Sequence, residues 1–164
     1  MHRLRFHMWG RMRLEDAAAI LDQAEFFDIC SAEEKRLLAF SSETRRFAAD
    51  EVVCKGDEAP AGAFILISGT LKAKPEGAIA GKAYTITTPG SVVSAMALIL
   101  AKPRLITVTA VVDTEMLFIP RTGFKKLMEQ SPTVAARAIA NIQRDLGRYV
   151  GALEPIWQKM RGDR

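Results

Sequence analysis

Histidine is nearly absent from this chain. The 164 residues contain two, His2 and His7, and both precede the first acidic residue, Glu15. No serine or cysteine in the body of the chain therefore has an imidazole to activate it. The clustered His and Glu ligands of barrel enzymes such as the cupins cannot be assembled either. Cysteine is equally scarce: Cys30 and Cys54 lack the C-x-x-C spacing of zinc and iron–sulfur sites. No metal and no cofactor are expected, and the two thiols are expected to be free. Cys54 falls in an apolar strand pattern and reads as a small core residue. There is no Gly-rich loop of the P-loop or Rossmann kind. The acid pair Glu33-Glu34 falls at a helix start, where capping accounts for it. Enzymatic activity is not expected. No apolar run approaches the roughly 20 residues that span a bilayer, and the N-terminus has no secretory-type apolar core. Cytoplasmic localisation is the expectation.

An excess of one charge is also missing from most of the chain. The net charge is +4, and Arg3, Arg5, Arg11 and Arg13 supply all of it; the other 19 basic residues balance 19 acidic ones. A broad nucleic-acid face would need clustered Lys and Arg beyond that front end. Residues 1–13 read as a basic tail, either a flexible end or an arm that touches a membrane surface or a partner.

What is present is a change of period, from helix to strand and back. Leu14, Ala17, Ala18, Leu21 and Ala24 recur at helical spacing, and Ser31-Ala32-Glu33-Glu34 is a capping box opening a second helix through Phe40. Residues 45–119 carry short apolar runs (Val52-Val53, Phe64–Ile67, Tyr84–Ile86, Leu105–Val112 and Met116–Ile119) between Gly, Pro and Asp turns. That pattern predicts a sandwich or jelly-roll barrel. After Phe124 and Leu127, Ser131-Pro132-Thr133 opens a long helix over about 133–153. Ile139, Ile142, Leu146, Tyr149 and Leu153 alternate spacings of three and four, the seam of a coiled coil. A homodimer is expected through them; the alternative is that the helix folds back on its own barrel. The fold class is therefore α+β: an antiparallel β jelly-roll barrel flanked by N-terminal helices and a long C-terminal helix, one domain over 14–164.

The stretch Gly90–Val108 carries the functional signal. It reads as a turn, a short apolar helix, the pair Pro103-Arg104 and then a strand. A helix start presents unpaired N–H groups, and a following guanidinium can close over the same point. The stretch resembles the phosphate-binding cassette of cyclic-nucleotide-binding domains, as in catabolite-activator-type regulators and regulatory subunits of cyclic-AMP-dependent kinase. It aligns without a gap with G-D-x-F-G-E-x-A-L-x-x-x-x-P-R-x-A-T-V. Ala49-Asp50-Glu51-Val52-Val53 is similar to the family's A-G-E-x-I, and Phe64–Gly69 is similar to its Y-F-I-x-x-G hairpin. Leu117–Pro120 with Phe124 matches the strand leading into a family helix.

The resemblance implies a ligand site at Ser94, Ala95, Met96, Ala97, Arg104 and Leu105. It also shows where the chain departs. Ser94 replaces a glycine, and Ala95 replaces the glutamate that receives the ribose 2′-hydroxyl. Leu105 stands where Ser, Thr or Ala is usual. A hydrogen bond to a charged acceptor is worth roughly 1.5–3 kcal/mol, so a cyclic nucleotide should bind weakly, or an altered small anion should replace it. Arg104 is either the anion contact or a structural clamp on backbone carbonyls or on Asp113 or Glu115. The run Met96–Ala101 is either core or, with Val92, Val93, Leu105 and Ile106, the lining of an apolar pocket.

Two functions follow. The first is a non-catalytic sensor of a small anion that signals through its C-terminal helix. The second is a ligand-free pseudo-sensor that dimerises or docks a protein partner. A helix-turn-helix would need roughly 60 residues beyond the long helix, and about ten follow Leu153, so DNA binding is not expected.

Overall fold

The computed structural model describes residues 12–76, 81–103 and 105–144. The basic tail up to residue 11, Arg104, and the seam residues Leu146, Tyr149 and Leu153 lie outside them.

The helices come first. Helix α1 spans Leu14–Gln23, a 3-10 turn covers Glu25–Ile29, and α2 spans Ala32–Ser41. The expected capping box is formed. Ser31 Oγ accepts from the Glu34 N–H at 3.2 Å, and the Glu34 carboxylate accepts from the Ser31 N–H at 2.9 Å. The Ser31 backbone bond is the main cause holding the Glu34 carboxyl below its ordinary range, with help from Ser131 and Arg137. A depressed carboxyl contributes stability above its unfolded pKa and loses it as pH falls through the folded value. Acidification should therefore lower the melting temperature of the wild type more than that of Glu34→Gln. Equal acid sensitivity in thermal melts of the two proteins would remove Glu34 from the account.

Eight strands follow: β1 (Glu43–Phe47), β2 (Val52–Cys54), β3 (Gly62–Ser68), β4 (Leu71–Pro75), β5 (Tyr84–Ile86), β6 (Val92–Val93), β7 (Ile106–Ala110) and β8 (Thr114–Pro120). They form two antiparallel four-stranded sheets, ordered β1-β8-β3-β6 and β2-β7-β4-β5. The fold is thus mixed helix and antiparallel sheet, as the periodicity implied. Helix α3 (Arg121–Gln130) follows β8 directly, and residues 132–144 form α4.

The first sheet is the middle layer. On one face Phe64, Leu66, Met116 and Phe118 meet Leu71, Ala73, Val108 and Ala110 of the second sheet. On the other face Ala63, Ile65, Leu117 and Ile119 meet Leu21, Phe27, Leu38, Phe124 and Val134 of the helices. Successive strand residues point to opposite faces, so β3 and β8, covered on both, read as unbroken apolar runs. Each such side chain contributes about 1.5–3 kcal/mol on burial.

Helix α4 lays Val134 and Ala138 into the helical core, and Ile142 is buried within the chain. Ile139 is 45% exposed. The two described members of the expected seam therefore differ in exposure. Cys30 is buried, which pushes its thiol up to about 11. The two cysteines are not joined to each other. Among the described residues no helix is long and apolar enough to cross a membrane.

Candidate functional site: the cassette between the sheets

Strand β6 pairs with β3, Val93 opposite Phe64 and Val92 opposite Ile65. The turn before it is set by Gly90 at φ 91°. A Cβ there would come within 2.7 Å of the Gln23 carbonyl oxygen, so glycine alone lets this loop press against the end of α1.

The chain leaves β6 through Ser94, whose backbone is left-handed at φ 61°, ψ 38°. That conformation costs an L-residue roughly 1–2 kcal/mol and explains why the resemblance places glycine here. Asp50, at the glycine position of the A-G-E match, keeps the same geometry at φ 69°. Both substitutions therefore keep the turn and lose only the ease of making it.

Beyond Ser94 the expected short helix is a single 3-10 turn, Ala95–Leu98. Ala97 and Leu98 are buried, Leu98 in the helical core, while Ala95 and Met96 are half-buried. Of the two readings of this run, Ala97 and Leu98 take the core one.

The turn is held by an arginine of helix α3. Arg121, at the start of α3, donates through Nη1 to the carbonyl of Ala97 at 3.1 Å and to that of Pro60 at 2.9 Å. Its N–H also bonds the Ala61 carbonyl. Arg121 thus clamps carbonyls of this turn and of the 59–61 loop; Arg104 lies outside the described residues. Asp113 accepts from the Ala49 N–H and Glu115 pairs with Arg46 at 3.8 Å. Arg121→Met should strip donors from two carbonyls and lower stability by about 1.5–3 kcal/mol, read in a urea melt. An unchanged midpoint would show that water replaces the guanidinium at no cost.

Ser94 lies in the wall of a cavity of about 120 Å3 between the sheets. Val92, Val93 and Ile106 share that wall, as the pocket reading expected. Leu105 does not; it is 47% exposed. Residues the sequence did not assign to a site also line the wall, among them Cys54, Lys55, Ala73 and Tyr84. Cys54 packs against the sheet core and also sets its Sγ 3.8 Å from Ser94 Oγ. Among the described residues no three His, Cys, Asp or Glu side chains gather as a metal site.

A family model described as "Cyclic nucleotide-binding domain" matches residues 44–131, just over half of the chain. The chain belongs to that family. Solved structures agree. A cyclic nucleotide-binding-like protein from Brucella abortus is 31% identical, with 70% of this chain and 98% of that one covered and a TM-score of 0.58. The catabolite activator protein of Thermus thermophilus is 22% identical over 80% of this chain and 62% of its own, with a TM-score of 0.66. The regulatory domain of Toxoplasma gondii cyclic-AMP-dependent kinase, solved with cyclic AMP, is 21% identical over 80% and 50%, with a TM-score of 0.64. At those identities the last two establish the fold alone. The chain spans about half to two-thirds of their length. No curated protein matches it. The chain has the fold of a cyclic nucleotide-binding domain.

Proposed function

We propose that this cyclic nucleotide-binding domain is a non-catalytic sensor that takes a small anion under a degenerate cassette and signals through its C-terminal helix. The observation that carries the reading is Ser94. Its left-handed turn sets the start of the cassette in the wall of the inter-sheet cavity. Arg104 is the charged residue the family pattern retains, and a guanidinium holds either anion bidentately. Ala95, with no acceptor, makes cyclic AMP a poor ligand. The two sheets close as a jelly roll on this reading, Ile139, Ile142, Leu146, Tyr149 and Leu153 form a homodimer seam, and the chain works in the cytoplasm. The residues before Leu14 remain a basic tail.

A second reading is favoured by the cavity's size. About 120 Å3 falls below the 300–1,000 Å3 of ordinary ligand pockets, which suits a ligand-free pseudo-sensor that docks a protein partner.

Thermal melts with cyclic nucleotides and small organic anions separate the two. On the sensor reading at least one anion raises the melting temperature, and Arg104→Gln abolishes the rise while lowering stability only modestly. If no anion shifts the melt and Arg104→Gln itself melts several degrees early, the pseudo-sensor stands. Sedimentation of the wild type as a single monomeric species would remove the dimer from either reading.

A further inference from the structure

A second and larger cavity opens beside the first, between β1 and β2. Its volume is about 340 Å3, within the range of small-molecule sites. The loop carrying Lys55 and Pro60 forms part of the wall of both cavities.

The position of Arg45 sets this cavity apart. Register places Arg45 opposite Met116 and Phe47 opposite Thr114. Residues paired across an antiparallel ladder share a face, and Met116 belongs to the core between the sheets. Arg45 is therefore an arginine on the inner face of a sandwich. Its guanidinium carbon lies 3.7 Å from the centre of the Phe118 ring and 5.8 Å from that of Phe64.

At 3.7 Å the guanidinium lies against the ring, which satisfies its face and leaves its N–H donors at the edge. Those donors are not spent on a buried acid. Nε is shielded from water and has no hydrogen-bond partner. Glu43 Oε2 is 3.5 Å from it, outside hydrogen-bond geometry, on a side chain that is 51% exposed. Such an exposed pair compensates little of the desolvation. The wall also includes Lys55, a second cation, one acid, Glu58, and the apolar side chains of Val52, Val53 and Pro60.

We infer that this cavity is a binding site for a small aromatic monocarboxylate. The carboxylate would pair edge-on with Arg45, whose planar fork matches its geometry, and Lys55 would add charge. The ring would lie among Phe64, Phe118 and the two valines. A neutral ligand of the same shape would leave the guanidinium edge unpaired, so the site should reject it. The inference uses neither Ser94 nor Arg104 and stands or falls apart from the cassette reading.

The test uses benzoate, with benzamide as its uncharged isostere. Calorimetry should show benzoate binding and benzamide at least about 10-fold weaker. Backbone amide shifts should concentrate at Val52, Val53 and Phe118 and spare Ser94–Leu98. Arg45→Met, which keeps the packing over Phe118, should weaken benzoate by about 10- to 100-fold, and Arg45→Lys should lie between. Arg104→Gln should leave benzoate binding unchanged. Should Arg45→Met fail to fold, Arg45→Lys and Lys55→Met carry the same comparison. The inference is overturned by no benzoate binding up to about 10 mM or by equal binding of benzamide. Unaltered affinity in the folded variants, or shifts centred on the cassette, would overturn it as well.

Discussion

Phe124→Ala is expected to destabilise the protein by about 3–5 kcal/mol, the usual cost of emptying a fully buried phenylalanine site. Phe124 is 0% exposed. Its ring stands edge-on to Phe27, with centroids 6.4 Å apart at 78°, and 6.5 Å from Phe26. Phe26 and Phe27 are themselves edge-on at 5.1 Å. These three rings join α3 to the N-terminal helical segment over the outer face of the first sheet. Truncation at the centre leaves a cavity that rigid neighbours on three sides cannot collapse into. For a domain of this size the loss corresponds to a fall of roughly 6–20 °C in melting temperature. The effect should reach the cassette, because Arg121 begins the same helix and holds the carbonyls of Ala97 and Pro60. Phe40 supplies the contrast. It is 79% exposed, and Phe40→Ala should change stability by no more than about 0.5 kcal/mol. Urea melts of both variants check this; a Phe124→Ala cost below about 1 kcal/mol would refute the three-ring joint.

Restoring the family residues, with Ser94→Gly and Ala95→Glu together, should tighten cyclic AMP binding by about 10- to 200-fold, the equivalent of roughly 1.5–3 kcal/mol. Ser94→Gly relieves a left-handed serine at φ 61° and lets the turn adjust to its ligand. Ala95→Glu places an acceptor at the first residue of the 3-10 turn, where its carboxylate also meets unpaired backbone N–H groups. Ala95 is half-buried and follows Ser94 of the cavity wall, so the new charge is not forced into the core. Calorimetry on the wild type and the double variant reads the change. An intact fold with unchanged affinity would mean that the cavity wall excludes the nucleotide. That result would count for the pseudo-sensor reading, and the missing carboxylate would then be a consequence of lost binding and not its cause.

The amino-acid sequence determined the outline of this cyclic nucleotide-binding domain because each part of that outline has a local cause. The Ser31–Glu34 capping box forms between residues three apart. The double-sided apolar runs of β3 and β8 reveal strands buried on both faces. The order of turn, short helix and strand over 90–108 was legible locally, and Ser94 stood out because the family resemblance put a glycine there. Strands with weak local signals escaped. β1 reads Glu43-Thr44-Arg45-Arg46-Phe47 and β4 reads Leu71-Lys72-Ala73-Lys74-Pro75; charged residues hide their alternation, and pairing with β8 and β7 makes them strands. Tertiary structure alone gave Arg121 its clamping role, since it meets Ala97 and Pro60 only after the helix start, the 95–98 turn and the 59–61 loop converge. It also decided that Leu105 faces outward while Cys54 and Tyr84 line the cavity, and that Ile142 is covered while Ile139 is not. In each case a side chain's surroundings come from segments distant in sequence, and no local spacing encodes where those segments meet.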